Sequence, residues 1–219
     1  MDDKIIIIEL GFVNAFLIKV KDGFILIDTG LPWQWENLEA KLDSLGCLPE
    51  KLKLVIITHG DFDHTGNCAK LQEKYKAEIA MHKADAFMAE KRVFLKRKAR
   101  TLAAKIRILI SRLRHRKISF NQFKPDIFLT DGQSLVEYGF NAKIVHLPGH
   151  TKGSIGILTD EGNFFSGDSL VNDKKPSIAI YVDNFQELES SIDKLKKLNI
   201  KNIYPGHGKP FPSEGLTYE

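Results

Sequence analysis

Cysteine is nearly missing from this chain: Cys47 and Cys68 are its two cysteines, in unrelated surroundings and without CxxC spacing. That excludes a disulfide framework and suits a reducing compartment. Each is expected to be a small buried hydrophobe. Long apolar runs are missing too, since no stretch approaches the roughly 18–20 residues that span a bilayer. The N-terminal MDDKIIIIELGFVNAFLI opens with acids and lacks the basic leader and cleavage site of a secretory signal. A cytoplasmic location is the expectation.

What remains is ordinary for a globular chain: 43% hydrophobic and 27% charged over 219 residues. One compact domain, 1–219, follows. The net charge of +4 conceals an asymmetry. Residues 83–117 hold thirteen Lys or Arg against two acids, +11, which leaves −7 for the remaining chain. The basic character belongs to one insert, taken as residues 83–120.

Residues 4–10, 15–20 and 24–28 alternate as strands around Gly11 and the Asp22-Gly23 turn pair. Residues 33–46 show helical spacing, 52–58 read as a buried strand, and 65–76 as a second helix. Short strands are expected at 127–129, 134–137, 143–147, 154–159 and 163–166, then a helix at 187–198 and a strand at 201–204. Two strand-rich halves, each with helices, predict an α/β fold of four layers, an αββα sandwich.

Between the strand 52–58 and the helix after it lies THGDFDHTGN, with His59, Asp61, Asp63 and His64 on a strand-to-helix loop. His150 in PGHT, Asp168 in SGDS and His207 in PGHG likewise follow predicted strands. Four loops on one edge of a sandwich can build one site. Two divalent cations need about seven to eight protein donors plus a shared solvent oxygen, and these seven residues supply that number. One lone histidine is more often a surface or core residue, the reading taken for His82, His115 and His146, with His146 also placed to orient its neighbouring loop.

The linked motifs NAFLIKVKDGFILIDTG, THGDFDH, HLPGHTKGSIG, FFSGDSL and IYPGHG resemble those of the metallo-β-lactamase superfamily, glyoxalase II-like hydrolases included, in order and over nearly the whole chain. The resemblance implies that family's αββα fold. It implies that His59, Asp61 and His150 hold one metal, that Asp63, His64 and His207 hold a second, and that Asp168 bridges them. Asp28, in LIDTG, resembles a position that supports the site without binding metal.

The departure is Asp61: the common pattern is HxHxDH, and this chain has HGDFDH. The flavodiiron branch carries a glutamate there, so an acid at this place is compatible with metal. Two divalent ions give +4; Asp61, Asp63, Asp168 and a bridging hydroxide give −4. A neutral core favours iron or manganese over zinc, although zinc accepts carboxylate oxygen.

As a hydrolase, such a centre would lower the pKa of the shared water from about 15.7 toward 7 and cleave an ester, thioester or phosphoester. Asp63 is then the catalytic candidate, orienting the nucleophile and carrying a proton. Two other readings stay open: a non-haem di-iron redox protein, which would need a flavin domain that 219 residues do not hold, and a nucleic-acid-processing phosphodiesterase.

Within the insert, Leu95, Ala99, Leu102, Ile106, Leu109 and Leu113 alternate at spacings of four and three, one apolar stripe on a long basic helix, either whole or broken into two. The roles weighed are a helix packed on its own domain, a lid or homodimer seam, an anionic membrane surface, and last nucleic acid, since Phe94 is the one Phe, Tyr or Trp in residues 91–117. A small-molecule substrate is the partner expected at the metal loops.

Overall fold

The computed structural model describes residues 4–91, 97–99, 102, 105–106, 109–110 and 121–216. The first sheet is assembled in the order β1 (Lys4–Leu10), β2 (Val13–Val20), β3 (Gly23–Ile27), β4 (Leu52–Ile57), β5 (Glu78–His82), then β7 (Ile127–Leu129). Its first three strands run antiparallel and the rest join in parallel. The second sheet has the order β15 (Phe211–Pro212), β14 (Asn202–Pro205), β10 (Asn163–Gly167), β9 (Ile155–Thr159), β8 (Ala142–His146). Two short ribbons stand apart from the sheets, β11 (Leu170–Val171) with β12 (Ser177–Ile178) and β6 (Lys98–Ala99) with β13 (Tyr181–Val182).

Alternation along the strands sorts side chains into three apolar layers. Phe16, Ile18, Ile25, Ile27, Leu54 and Ile56 meet Ile144, Ile155, Ile157 and Phe165 between the sheets. The opposite side chains, such as Leu17, Leu26, Val55 and Ile57, pack on Leu38 and Leu42 of α1 (Trp35–Ser44) and Leu71 and Tyr75 of α3 (Cys68–Tyr75). Val145, Leu158, Phe164 and Ile203 pack on Leu188, Ile192 and Leu195 of α5 (Phe185–Leu195). Helices, sheet, sheet and helix make the expected αββα sandwich. Cys47 and Cys68 are both buried free thiols, and burial pushes the Cys47 thiol up to about 12.

α5 also sets the position of the loop that leaves β8. Ser191 Oγ donates to the Pro148 carbonyl at 2.7 Å, and Gly149 sits at φ +138° against the Leu188 backbone. A Cβ on Gly149 would lie 2.4 Å from Leu188 Cα. Gly149→Ala is therefore expected to lower stability by about 1–3 kcal/mol, through overpacking and backbone strain together. Urea unfolding measures it, and an unchanged midpoint would refute the close packing.

Several elements differ from the sequence expectation. Residues 134–137 do not form a strand: Val136–Tyr138 is a 3-10 turn closed by Gly139 at φ +78°, and only an isolated bridge joins Ser134 to Lys143. One buried side chain, Leu135, anchors this segment, and a single turn satisfies it as well as alternation does. The helix expected from residue 65 begins at Cys68, because α2 (Phe62–Thr65) is a separate turn that carries Asp63 and His64. Asn67 interrupts the two by bonding the Thr29 and Leu31 carbonyls. β5, with Ile79 and Met81 on one face and Ala80 on the other, has no counterpart in the sequence reading.

The insert is not one continuous helix. It holds α4 (Ala86–Lys91), the strand β6, and helical backbone at 102, 105–106 and 109–110. Ala99, assigned to the helical stripe from spacing, is instead a buried strand residue paired with Tyr181 of β13. Leu102, Ile106 and Leu109 are helical but exposed. Leu95, Leu113 and His115 lie outside the described residues. Among the described residues no helix is long and apolar enough to cross a membrane.

Candidate metal centre

Each candidate loop leaves the end of a core strand: His59 and Asp61 follow β4, His150 follows β8, Asp168 follows β10 and His207 follows β14. The loops converge. Asp61 Oδ2 lies 3.1 Å from His150 Nε2 and 3.5 Å from His59 Nε2. Asp63 Oδ2 lies 3.5 Å from His207 Nε2. Asp168 stands between, with Oδ1 3.2 Å from His64 Nε2 and Oδ2 3.2 Å from His207 Nε2 and 3.7 Å from His150 Nε2. Donors about 2.0–2.2 Å from a tetrahedral ion stand about 3.3–3.6 Å apart, so these separations match a metal cage.

The histidine tautomers agree with that fit. His150 Nδ1 donates to the Tyr181 carbonyl at 2.6 Å, and His207 Nδ1 to the Phe12 carbonyl at 2.7 Å. His64 Nδ1 donates to Asp28 Oδ2 at 2.8 Å, and His59 Nδ1 lies 3.1 Å from Thr58 Oγ1, which itself donates to Asp28. With every Nδ1 engaged outward, every Nε2 turns inward with a lone pair. Among the described residues, His59 Nε2, His64 Nε2 and Asp168 Oδ1 are buried without a hydrogen-bond partner. Buried polar atoms are rarely left so, and three aimed at one space suit a cation there. Among the described residues three groups meet the spacing for an ion: His59, Asp61 and His150; His59, His64 and Asp168; Asp63, His64 and His207.

Asp28 is the hub behind the cage. Fully buried, at φ +59°, it accepts from the Thr58 amide and hydroxyl and from His64. A strained backbone at that point aims one carboxylate at both the first metal loop and its histidine. His146, stacked on His82 at 4.1 Å, bonds the Lys152 carbonyl at 2.9 Å and so helps to hold the loop that carries His150, as expected for it.

Space inside the cage is tight. A Cβ on Gly206 would stand 2.6 Å from Asp168 Oδ1 and 2.7 Å from His64 Cε1, so PGHG needs its first glycine for room. Asn14 of β2 ties this loop down through the Pro205 and Gly208 carbonyls.

Without an ion the charges lean on one another. Burial opposes ionisation of Asp61, yet Arg97, then His150 and His59, hold its carboxyl well below the usual range. Asp168 is likewise held well below it by His207 and His64, and Asp63 is lowered by the same two. Burial works against His64 and His207 too, but the carboxylates of Asp28 and Asp168, and of Asp168 and Asp63, raise them well above the ordinary imidazole range. His59, dominated by burial and by His64, is lowered.

A pH profile follows for the metal-free protein. Raised His64 and His207 add stability that is fully present below about pH 6.5 and lost as pH rises through their folded values. The depressed carboxylates add stability present above about pH 3.8 and lost as pH falls further. His59, lowered, costs stability only below about pH 6.5 and is neutral in both states above it, so it adds no slope there. Denaturation of chelated protein is expected to show stability falling from about pH 6.5 upward; a rise there would overturn this charge arrangement.

Three contributors have no sequence signal. Buried Asp85, beyond β5, accepts from Gly60 N at 2.9 Å and Gly153 N at 2.7 Å, clamping the His59 and His150 loops together. Arg97 bridges Asp61 and Asp183. In sequence Asp85 and Arg97 are two more charges in the basic insert, and Asp183 is an acid in a loop.

Comparison with known proteins bears on the fold and the family. The family model of the metallo-beta-lactamase superfamily matches residues 8–207. Hydroxyacylglutathione hydrolase GloC of Haemophilus influenzae is 32% identical over 188 residues, 84% of this chain and 79% of its own length. Acyl-coenzyme A thioesterase MBLAC2 of Homo sapiens is 26% identical, covering 93% of this chain and 75% of that protein. The beta-lactamase-like protein 2 homolog of Caenorhabditis elegans is 24% identical over 89% of this chain, which spans 55% of that relative. In fold, the family protein TTHA1429 of Thermus thermophilus superposes with a TM-score of 0.71 at 20% identity, covering 95% of this chain and 74% of that one. TTHA1623 in a di-iron-bound form gives 0.70 at 24%, covering 95% and 94%. With the sandwich, the four loops and the family model in agreement, the chain belongs to the metallo-β-lactamase superfamily.

Proposed function

We propose that the protein is a dinuclear metal-dependent hydrolase that cleaves a thioester. The observation that carries it is the convergence of four inward Nε2 atoms and three carboxylates on one space, with buried members lacking any other partner among the described residues. His59, Asp61 and His150 would hold one ion, Asp63, His64 and His207 the other, and Asp168 would lie between. When bound, the ions supply Lewis acidity toward the scissile carbonyl and raise the acidity of the attacking water.

The chain's own groups then have defined tasks. Asp28, Tyr181 and Phe12 accept from Nδ1 of His64, His150 and His207, and Thr58 Oγ1 engages that of His59, so each Nε2 is directed inward. Asp63, ionised, accepts a hydrogen bond from the attacking water and orients it. An ionised Asp63 can pass to the leaving group only the proton it takes from the attacking water. A thiolate leaves without protonation far more readily than an alkoxide, which favours thioesters over alkyl esters and phosphodiesters. The hydroxyacylglutathione hydrolase and acyl-coenzyme A thioesterase relatives act on that bond class by name and support the reading. The di-iron form of TTHA1623 supports iron as one metal the cage accepts.

The test is elemental analysis of purified protein, followed by thiol release from acyl-glutathione and acyl-coenzyme A substrates. Two ions per chain and metal-dependent thiol release are expected. Protein that stays metal-free and inactive after zinc, manganese or iron supplementation would reject the proposal.

A further inference from the structure

Asp61 occupies a position where an imidazole would offer one nitrogen, and a carboxylate has two oxygens to place. The two are used differently. Oδ2 faces His150 Nε2 and His59 Nε2, while Oδ1 accepts from Arg97 Nη2. The other end of the guanidinium, Nη1, donates to Asp183 Oδ1. Arg97 is 10% exposed and Asp183 15%, so the bridge is largely out of water, where charge-assisted bonds hold best.

The ribbon that delivers Arg97 is tied to the same pocket. β6 follows Arg97 directly and pairs antiparallel with β13, Tyr181 opposite Ala99 and Val182 opposite Lys98. β13 supplies the carbonyl that receives His150 Nδ1, and the Asp183 amide donates to the carbonyls of Gly149 and His150. One two-stranded ribbon thus orients His150 through Tyr181 and Asp61 through Arg97.

We infer that Arg97 is a positioning residue for the first metal pocket: by bridging Asp61 to Asp183 it leaves Asp61 a single inward oxygen, so that the carboxylate stands in for an imidazole, and its cation offsets the charge the aspartate adds. This rests on the metal-centre reading proposed above. Lysine cannot do the same, since one ammonium lacks the planar fork that spans two carboxylates. Residues 61 and 97 therefore work as a pair. Asp61→His alone strands a buried guanidinium beside the ions, which is costly. The zinc preference that residue 61 suggests in isolation is then expected only when Arg97 is replaced as well.

The experiment measures zinc stoichiometry and affinity by chelator competition, and the visible spectrum of the cobalt form, for wild type, Arg97→Met, Arg97→Lys, Asp61→His and Asp61→His/Arg97→Met. Thermal unfolding of each metal-free form checks folding. Arg97→Met is expected to keep one ion tightly and to hold the other about 10–100-fold more weakly, the usual loss when a ligand's supporting partner is removed. Arg97→Lys should fall between it and wild type, which keeps the test informative if the methionine variant fails to fold. The double variant should return to within a few-fold of wild type, a rescue that a merely structural arginine would not show. Wild-type affinity in Arg97→Met, or no recovery in the double variant, overturns the inference. Absence of metal from wild type would instead overturn the metal-centre reading beneath it.

Discussion

Asp168→Ala is expected to lower kcat/KM for thioester hydrolysis by at least about 1000-fold, equivalent to roughly 4 kcal/mol of transition-state stabilisation. Asp168 stands 3.2 Å from both His64 Nε2 and His207 Nε2, 3.7 Å from His150 Nε2 and 4.0 Å from His59 Nε2. No other carboxylate in the cage reaches both candidate pockets. Its removal would take the shared donor from two ions at once and leave like charges facing each other across the gap. Steady-state kinetics with elemental analysis would check this. Activity within tenfold of wild type, at full metal content, would show that the pockets work independently and that Asp168 is not the bridge.

Metal removal is expected to have the second large effect, a fall in thermal stability. Ions that bind only the folded chain stabilise it by about 2.7 kcal/mol each at a free concentration of 100 times Kd, so two contribute about 5 kcal/mol. For a domain of this size about 1 kcal/mol corresponds to roughly 2–4 °C, which places the drop near 10–20 °C. Protons replace the ions only partly. They settle on His64 and His207, whose carboxylate neighbours favour the charged form, and leave His59 neutral and buried. Metal uptake must displace those protons, so affinity should fall as pH is lowered and binding should release protons into the buffer. Calorimetry in buffers of different ionisation enthalpy measures that release, and identical unfolding midpoints for chelated and loaded protein would contradict the linkage.

The four loops were legible in the sequence because strand and turn chemistry is local: an apolar run, then a glycine, then a histidine or acid. β4, β8, β10 and β14 supply the runs, and the loops that follow them hold the cage. The sandwich was legible for the same reason, since strands such as β2 and β4, apolar on both faces, require layers above and below. The basic insert misled because its spacing rewards one helix, whereas pairing of Ala99 with Tyr181 is a tertiary hydrogen-bond ladder with no trace in local periodicity. Asp85, 25 residues from Gly60 and 68 from Gly153, was equally invisible.

By itself, then, the sequence determined the kind of site: four histidines and three aspartates on strand ends, with Asp61 as the odd member. Counting charges within those motifs made the centre neutral and pointed to harder metals. Only the tertiary structure decided what balances Asp61, because the balancing cation is Arg97, one of thirteen basic residues in a segment with no motif. Electrostatics acts through space and falls with distance and burial, neither of which is written in spacing along a chain.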